Sequence, residues 1–466
     1  MTLIKSISGI RGTIGGNPGA GLTPVDIINY TAAYAAFIQS RNPGKKPSVV
    51  VGRDARISGE MVERLVLGTL VAAGVDVIDT GLSTTPTVEV TVIALNASGG
   101  IIITASHNPR QWNALKLLNE KGEFLNEYEG RQIIDMAETG GFSFADINNL
   151  GSYRREENTI DQHIESILKL PLVDGATIRQ AKLRIVVDAV NSTGGIAIPK
   201  LLRALGVQEI IELYCEPNGH FPHDPEPIPE NLSEISAIVK KSNAHLGFVV
   251  DPDVDRLAIV DENGDMFGEE YTLVAVTDYV LSHQKGNTVS NLSSSNALKI
   301  VTERHGGSHF ASAVGEVNVV EMMKANNAVI GGEGNGGIIY PTLHYGRDAL
   351  VGIALFLTQL VKSGKSCSSL RSTFPDLHIS KNKIQLDDAI NLDDVLKKIE
   401  KKYINQPKNT IDGIRIEFDN DWVHLRKSNT EPIIRIYAES DSMHKAEVLA
   451  RKLIDDIRET IKPEPE

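Results

Sequence analysis

The sequence predicts an α/β protein, with three related units built on mostly parallel sheets and then a smaller α+β unit. Apolar strand-like runs alternate with helix-patterned stretches through most of the chain, a rhythm that places helices over a parallel sheet. The rhythm restarts near residues 183 and 288, so a similar unit occurs three times. The C-terminal part breaks it, with three strand-like runs in succession before one long amphipathic helix.

In the first unit, "KPSVVVGRDAR" (46–56) is a strand entering a polar loop. "MVERLVLGTLVAAG" (61–74) is an amphipathic helix closed by a glycine, and "VDVIDTG" (75–81) is the next strand. "GGIIITA" (99–105) has the length and β-branched content of a buried strand. The second unit opens with "LRIVVDAVNSTGG", "AIPKLLRALG" and "VQEIIELY", the third with "TVSNLSSS" and "NALKIVTERHG". The last holds "DGIRIEF", "WVHLRK" and "IIRIYAES", then the helix "MHKAEVLARKLIDDIRETI"; the tail "KPEPE" reads as disordered. Joins are expected at "GSYRREENT" (151–159), within 261–287 and near "VKSGKSCSS" (361–369), giving units 1–150, 151–265, 266–370 and 371–466.

The 466 residues suffice for several domains, and 41% apolar residues suffice for their cores. Asp plus Glu number 60 and Lys plus Arg 47, for a net charge of −13. That acidity argues against a general nucleic-acid or anionic-membrane surface. It leaves room for a small anionic substrate, because a local Arg and Lys cluster reverses the sign inside a cleft. Cys215 and Cys367 are the only cysteines, which excludes a disulfide framework and a CxxC metal site. No apolar run approaches the roughly 20 residues of a membrane span and the N-terminus has no apolar leader core, so a cytoplasmic protein is expected.

Four constellations carry chemistry. "TASHNPRQWNALK" (104–116) puts Ser106 just past a strand end, where open α/β sheets hold their ligands, and Lys116 can fold back beside it. The plainer reading is a polar turn capped by Asn108 or Ser106. A hydrolase nucleophile elbow is disfavoured, because the glycines of G-x-S-x-G are missing. In "VVDPDVDRLAIVDENG" (249–264), Asp251, Asp253 and Asp255 alternate with other residues and can converge on a hard cation. An EF-hand would use Glu262, but Arg256 stands where its loop needs glycine, and the flanks are strand-like. Octahedral Mg²⁺ fits better. A solvated acidic turn would leave three carboxylates repelling one another.

"GGEGNGGIIYP" (331–341) surrounds Glu333 with glycines and Asn335, which suits a carboxylate that hydrogen-bonds sugar hydroxyls; taken alone, a plain glycine turn explains it better. "WVHLRKSNTEPIIRIY" (422–437) crowds Arg426, Lys427, Ser428, Asn429, Thr430 and Arg435 around a strand–loop–strand, the composition of a phosphate clamp. A charged surface hairpin explains the arginines but not the Ser-Asn-Thr run. "GKS" (364–366) is not a Walker loop, since Gln359 stands where its upstream glycine belongs.

In this order, with "SGIRGT" (8–13) ahead of them and "HFPHDPEPIPENL" (220–232) before the acidic loop, these stretches resemble the α-D-phosphohexomutase family of phosphoglucomutases, phosphomannomutases and phosphoglucosamine mutases. The resemblance implies four domains around one central cleft: three related α/β domains with mixed sheets and a C-terminal α+β domain like the TATA-box-binding protein. It implies an isomerase, an intramolecular phosphotransferase interconverting hexose 1-phosphate and 6-phosphate. Ser106 would be the phosphoserine that hands its phosphoryl group to the sugar; the bisphosphate turns over, and the other phosphate returns to Ser106. Asp251, Asp253 and Asp255, with an oxygen on phosphorylated Ser106, would hold Mg²⁺. Arg11 and Lys116 would flank the same group, with Lys116 the acid–base, and His107 would orient the serine or its phosphate. Arg256, Glu333 and Asn335 would bind the sugar phosphate, with Glu333 gripping hydroxyls in either orientation. Arg426, Ser428, Asn429, Thr430 and Arg435 would hold the phosphate that is not reacting. The implied partners are small phosphosugars, with a hexose bisphosphate as activator and neither nucleic acid nor membrane. The implied assembly is a monomer or homodimer.

Three departures bear on the substrate. The family's Asn-Gly after the serine loop is Asn113-Ala114 here. Its common Gly-Glu-x-Ser-Gly-His sugar loop is Gly-Glu-Gly-Asn-Gly-Gly, and Asn429 stands where a glycine is frequent. That sugar loop is more similar to archaeal-type members, and Gly337 is expected to leave space for a substituent at C2. Glucosamine 6-phosphate to glucosamine 1-phosphate is therefore the first expectation, and glucose or mannose phosphate the second. A non-catalytic sugar-phosphate binder is the remote alternative, opposed by the intact Ser106, Lys116 and aspartate trio.

Overall fold

The computed structural model describes residues 2–6, 9–385, 391–427 and 433–461. The first unit runs β1 (Ile4–Ser6), β2 (Gly9–Thr13), α1 (Pro24–Arg41), β3 (Ser48–Arg53), α2 (Gly59–Ala72), β4 (Asp76–Leu82), α3 (Thr85–Ala94), β5 (Gly99–Ile103), β6 (Trp112–Leu118), α4 (Glu127–Thr139) and β7 (Tyr153–Arg155). Its seven-stranded sheet is ordered β1-β2-β6-β5-β3-β4-β7. The Val and Ile of β3 and β5 are buried on both faces, one set packing with α1 and α2 residues, the other with Val88 and Val92 of α3. That is why these strands read as continuous apolar runs rather than alternating ones. Helix α1 starts on a Thr23/Asp26 capping box with Pro24 in its first turn.

The second unit comprises α5 (Thr159–Leu168), α6 (Gly175–Gln180), β8 (Arg184–Asp188), α7 (Gly194–Leu205), β9 (Glu209–Leu213), α8 (Ser233–Ser242), β10 (Leu246–Val250) and β11 (Leu257–Asp261). The third comprises α9 (Glu269–His283), β12 (Asn287–Asn291), α10 (Asn296–Arg304), β13 (His309–Ser312), α11 (Glu316–Ala325), β14 (Ala328–Glu333), β15 (Gly337–Ile339), α12 (Ala349–Ser363) and α13 (Cys367–Arg371). Their sheets are ordered β11-β10-β8-β9 and β13-β12-β14-β15.

The three expected restarts are one topology repeated. In each unit a first strand (β3, β8, β12) lies between two parallel neighbours, and the later neighbour (β5, β10, β14) turns back into an antiparallel strand (β6, β11, β15). The turn after β5 carries Ser106, the turn after β10 the aspartate trio, and β14 ends in Glu333. Three chemically different segments therefore occupy one topological position, at the C-terminal end of a central strand, where such sheets bind ligands.

The fourth unit comprises β16 (His378–Gln385), α14 (Leu392–Lys402), β17 (Lys408–Asn409), β18 (Ile414–Glu417), β19 (Trp422–Lys427), β20 (Ile433–Ser440) and α15 (Met443–Ile461). Its antiparallel sheet, β16-β20-β19-β18-β17, packs one apolar face on α14 and α15 around its own core. One continuous core joins the second and third units, with α12 packed against α5, α6 and α7. Among the described residues no helix is long and apolar enough to cross a membrane.

Two expectations change. The division at 150 falls short, because β7 pairs parallel with β4 and extends the first sheet to Arg155. The division at 370 falls inside α13, whose Cys367 and Leu370 belong to the shared core. The sequence reading also passed over β16 and α14, in which charged residues alternate with a thin apolar stripe. The "KPEPE" tail lies outside the described residues.

Candidate active site

The buried Thr104 directly follows strand β5, and hydrogen bonds from its side chain then turn the chain. Thr104 Oγ1 donates to Asp54 Oδ2 at 2.6 Å and accepts the Ser106 N–H at 2.9 Å. Ser106 has φ 49°, left-handed backbone that costs a residue with a side chain about 1–2 kcal/mol. Such strain persists only where surroundings over-determine it, and it gathers at functional sites. Here Arg56, 1% exposed, does the holding. Its guanidinium donates to the carbonyls of Ser106, Asn108, Pro109 and Trp112, and its Nε pairs with Asp54. All five N–H donors of the fork are used. Phe221, from the "HFPHDPEPIPENL" segment, lies with its ring centroid 5.2 Å from this guanidinium. The sequence reading missed Arg56; "GRDAR" read only as a polar loop.

The Ser106 hydroxyl donates to Asp251 Oδ2 at 2.7 Å and lies 3.3 Å from His107 Nδ1. Asp251, Asp253 and Asp255 are all fully buried, and one oxygen from each lies within 4.8 Å of the others. Lys116 bridges Asp253 and Asp255 at 2.7 and 3.3 Å. Thr85 Oγ1 donates to Asp253 at 2.6 Å, and Arg347 to Asp255 at 2.8 Å. Val254 between them has φ 65°, an outlier for a β-branched residue. Asp253 Oδ1 and Asp255 Oδ1 are buried without a hydrogen bond from any described residue. Hard carboxylate oxygens, close-set and partly orphaned, fit a divalent cation. The EF-hand alternative fails in space as well, because Glu262 accepts from the Ser368 backbone at 3.1 Å instead of joining the trio.

Charge sets the protonation states. Burial, then Asp255 and Asp253, raises Asp251 well above the usual carboxylate range. Burial opposes ionisation of Asp255 too, but Arg347 and Lys116 hold it below that range. Burial works against the Lys116 ammonium, yet Asp253 and Asp255 raise its pKa, so it stays charged. Burial and then Arg256 lower His107, leaving a neutral imidazole beside the serine. Burial also lowers Arg11, which lies near Asp253 and donates to Asn108 Oδ1 at 3.3 Å. Arg256, half-buried, donates its backbone N–H to Asp251 and reaches Glu226 at 3.7 Å.

Glu333 is fastened to the same centre by a residue the sequence reading did not single out. Arg347, fully charged and 8% exposed, pairs with Glu333 at 2.9 Å, Glu316 at 3.0 Å and Asp255 at 2.8 Å. Asn291 and the Gly315 N–H donate to the other Glu333 oxygen. Three of about four acceptor sites on that carboxylate are filled, leaving room for a sugar hydroxyl. Asn335 lies beside it and accepts the Gly337 N–H at 3.2 Å. The space expected at Gly337 is taken: a Cβ there would meet Arg347 Cδ at 2.3 Å.

Arg426 and Arg435 stand apart, on the fourth unit's sheet. They are register partners on β19 and β20, and Lys383 of β16 faces Arg435 on its other side. Direct cross-strand partners share a face, and like charges set opposite one another are unfavourable without a counter-ion. Among the described residues Arg426 has one long contact, 3.5 Å to Asp412, which also accepts the Val314 N–H beside the Gly315 that holds Glu333. Ser428, Asn429 and Thr430, expected beside the two arginines, lie outside the described residues.

Comparison with known proteins agrees with the four-unit architecture. Models of the phosphoglucomutase/phosphomannomutase α/β/α domains I, II and III match residues 3–143, 161–264 and 268–377, and the C-terminal domain model matches 383–456. A phosphoglucomutase/phosphomannomutase from Thermococcus kodakarensis is 36% identical over 91% of this chain and 92% of its own. A relative from Methanopyrus kandleri, named "Probable phosphoglucosamine mutase", is 31% identical over 97% of each chain. The crystal structure of a phosphoglucomutase/phosphomannomutase family protein from Burkholderia thailandensis, 27% identical, superposes with a TM-score of 0.83 over 98% of both chains. With all four domain models matched in order, this chain belongs to the phosphoglucomutase/phosphomannomutase family.

Proposed function

We propose that the protein is a phosphohexomutase that moves a phosphoryl group between the 1- and 6-positions of a hexose through phosphorylated Ser106, with glucosamine phosphate as its preferred sugar. The observation that carries this reading is the Ser106 hydroxyl, held by strained backbone at 2.7 Å from the buried aspartate trio. A phosphoryl carrier needs that fixed placement more than it needs an activated nucleophile. Asp251, Asp253 and Asp255 would hold Mg²⁺, which when bound would supply positive charge against the transferring group. The charged Lys116 gives a proton to the serine oxygen as it leaves and regains one from the attacking sugar hydroxyl, rephosphorylation of Ser106 runs the same exchange in reverse, and neutral His107 orients the serine. Arg11 and Arg256 hold the reacting phosphate. Burial of Ser106 and Lys116, 4% exposed each, keeps water from competing with the sugar hydroxyl. Glu333 and Asn335 bind hydroxyls, Arg426 and Arg435 the distal phosphate, and a hexose bisphosphate primes the serine. A cytoplasmic monomer or homodimer acting on small phosphosugars fits this reading.

The sugar is the open choice. Relatives such as that of Methanopyrus kandleri carry the glucosamine name, while the Thermococcus kodakarensis relative is named for glucose and mannose. Arg347 favours the second reading, since its guanidinium sits on the Glu333 oxygen that a sugar ammonium would seek. The test is kcat/KM for glucosamine 6-phosphate against glucose 1-phosphate and mannose 1-phosphate, each with its bisphosphate. A preference for the amino sugar is expected. A roughly tenfold preference for either hexose, about 1.4 kcal/mol, overturns the ranking and leaves the mutase chemistry standing.

A further inference from the structure

A second cluster of ligating groups lies where the first three units meet. His163 on α5, His344 in the 340–348 loop and Asp348 at the start of α12 are buried, at 0%, 4% and 0% exposure. His163 Nε2 and His344 Nε2 approach the same atom, Asp348 Oδ2, at 3.0 and 3.3 Å. Asp348 Oδ1 is occupied elsewhere, capping α12 through the Leu350 and Val351 N–H groups. The far side of each ring faces α3: Thr87 Oγ1 lies 3.0 Å from His163 Nδ1, and Glu89 Oε2 lies 3.2 Å from His344 Nδ1. Glu89 is itself fully buried, and neither of its oxygens makes a hydrogen bond of good geometry.

We propose that His163 Nε2, His344 Nε2 and Asp348 Oδ2 form a three-ligand site for a zinc-class divalent metal, with Thr87 and Glu89 as its outer partners. Two imidazoles and a carboxylate are a borderline donor set, suited to Zn²⁺ or Co²⁺, whereas the all-oxygen aspartate trio suits a hard cation. A metal with bonds near 2.0–2.2 Å sets its ligand atoms a little over 3 Å apart, close to the two separations from Asp348 Oδ2, and all three atoms lie within 4.8 Å of one another. Metal-bound histidines turn their other nitrogen to a hydroxyl, carbonyl or carboxylate, and both rings here do so. Binding would displace the Nε2 protons to solvent and leave a carboxylate–histidine–metal relay through Glu89. The site would tie α3 to α5 and α12, and α3 is the helix whose first residue, Thr85, holds Asp253.

The test uses the full chain, stripped with a chelator, supplied with excess Mg²⁺ and dialysed against Zn²⁺. One zinc per chain should be retained by the wild type and by the Asp251→Asn/Asp253→Asn variant, which removes trio carboxylates and keeps both histidines. The His163→Gln/His344→Gln variant should lose it, and Glu89→Gln should weaken it about tenfold. Cobalt substitution in the wild type needs no folded variant: the absorption bands of a low-coordinate, histidine-bound Co²⁺ should appear and survive Mg²⁺ excess. A wild type that retains no zinc, zinc retained undiminished by the double-histidine variant, or cobalt bands of octahedral oxygen ligation only, would each overturn the proposal and leave a hydrogen-bonded network in its place.

Discussion

The two regions proposed to meet phosphate are built on opposite plans. Around Ser106 buried charges answer one another: Lys116 and Arg347 on the aspartates, Arg56 on the loop carbonyls. On the fourth unit, Lys383, Arg435 and Arg426 stand abreast on three neighbouring strands, with Lys383 and Arg435 exposed. A dry, pre-balanced centre costs little reorganisation when charge develops, and this is what transfer demands. An open row of cations tolerates a phosphate that arrives, leaves and returns from the other end of the sugar. On the proposed reading, the contrast assigns bond-breaking and recognition to different units, and each part of that claim can be broken.

The largest effect belongs to the buried end. Ser106→Ala should lower mutase turnover by several orders of magnitude and barely alter unfolding, since it removes the carrier and no packing. A variant keeping a large part of wild-type kcat would remove Ser106 from the mechanism. Next is Lys116→Met. Without metal it leaves Asp253 and Asp255 less compensated and should cost about 3–5 kcal/mol in urea unfolding. Saturating Mg²⁺ should recover most of that loss and bind more tightly than in the wild type, because the ammonium no longer competes. Equal stability with and without Mg²⁺ would show that Lys116 is not the stand-in cation.

Arg56→Lys sharpens the comparison by keeping the charge and losing the fork. With the serine loop loosened, kcat should fall roughly a hundredfold at unchanged KM, the scale of an ångström's misplacement. A change confined to KM would assign Arg56 to substrate instead. At the open end, Arg426→Ala should do the reverse. KM for phosphosugars should rise by the equivalent of about 1.5–3 kcal/mol, with kcat nearly kept and a weaker dependence of KM on salt. A fall in kcat without a KM effect would erase the division of labour.

The smallest effect tests a buried carboxyl under the sugar loop. Glu270 lies against Gly334, where a Cβ would meet both its oxygens at 2.1 Å, and burial pushes its pKa up to about 8 despite Lys381 nearby. The folded state therefore keeps a proton that the unfolded chain releases near pH 4.5. Its contribution to stability is full below that value and is lost as pH rises through about 8. The slope should reach at most about 1.4 kcal/mol per pH unit in that window, and Glu270→Gln should flatten it. An unchanged slope would place the titration elsewhere.

Much of this was legible in the sequence, and what escaped has a common cause. Ser106, Lys116 and the aspartates announce themselves because polar residues interrupt apolar strands, and the restarts near 183 and 288 foretold the repeated units. Arg56 and Arg347 were silent. Each acts through contacts far along the chain, about 50 residues away for Arg56 and 92 for the Arg347–Asp255 pair, and neither leaves a local pattern. Gly337 read as empty space for the same reason, since its filling comes from Arg347. The 150 boundary failed because β7 is a three-residue exposed edge strand whose only sheet signal is its pairing to β4. His163 and His344 lie 181 positions apart and look like isolated core histidines until the fold joins them.

The central claim is that Ser106 carries the phosphoryl group. Incubating the enzyme with a hexose 1,6-bisphosphate and Mg²⁺, then mapping the chain by mass spectrometry, should find one added phosphoryl group, on the peptide containing Ser106. A chase with unlabelled hexose 6-phosphate should move that group onto the sugar at a rate no slower than turnover. A phosphoryl group on another residue, or one on Ser106 that the chase discharges far more slowly than kcat, would contradict the account.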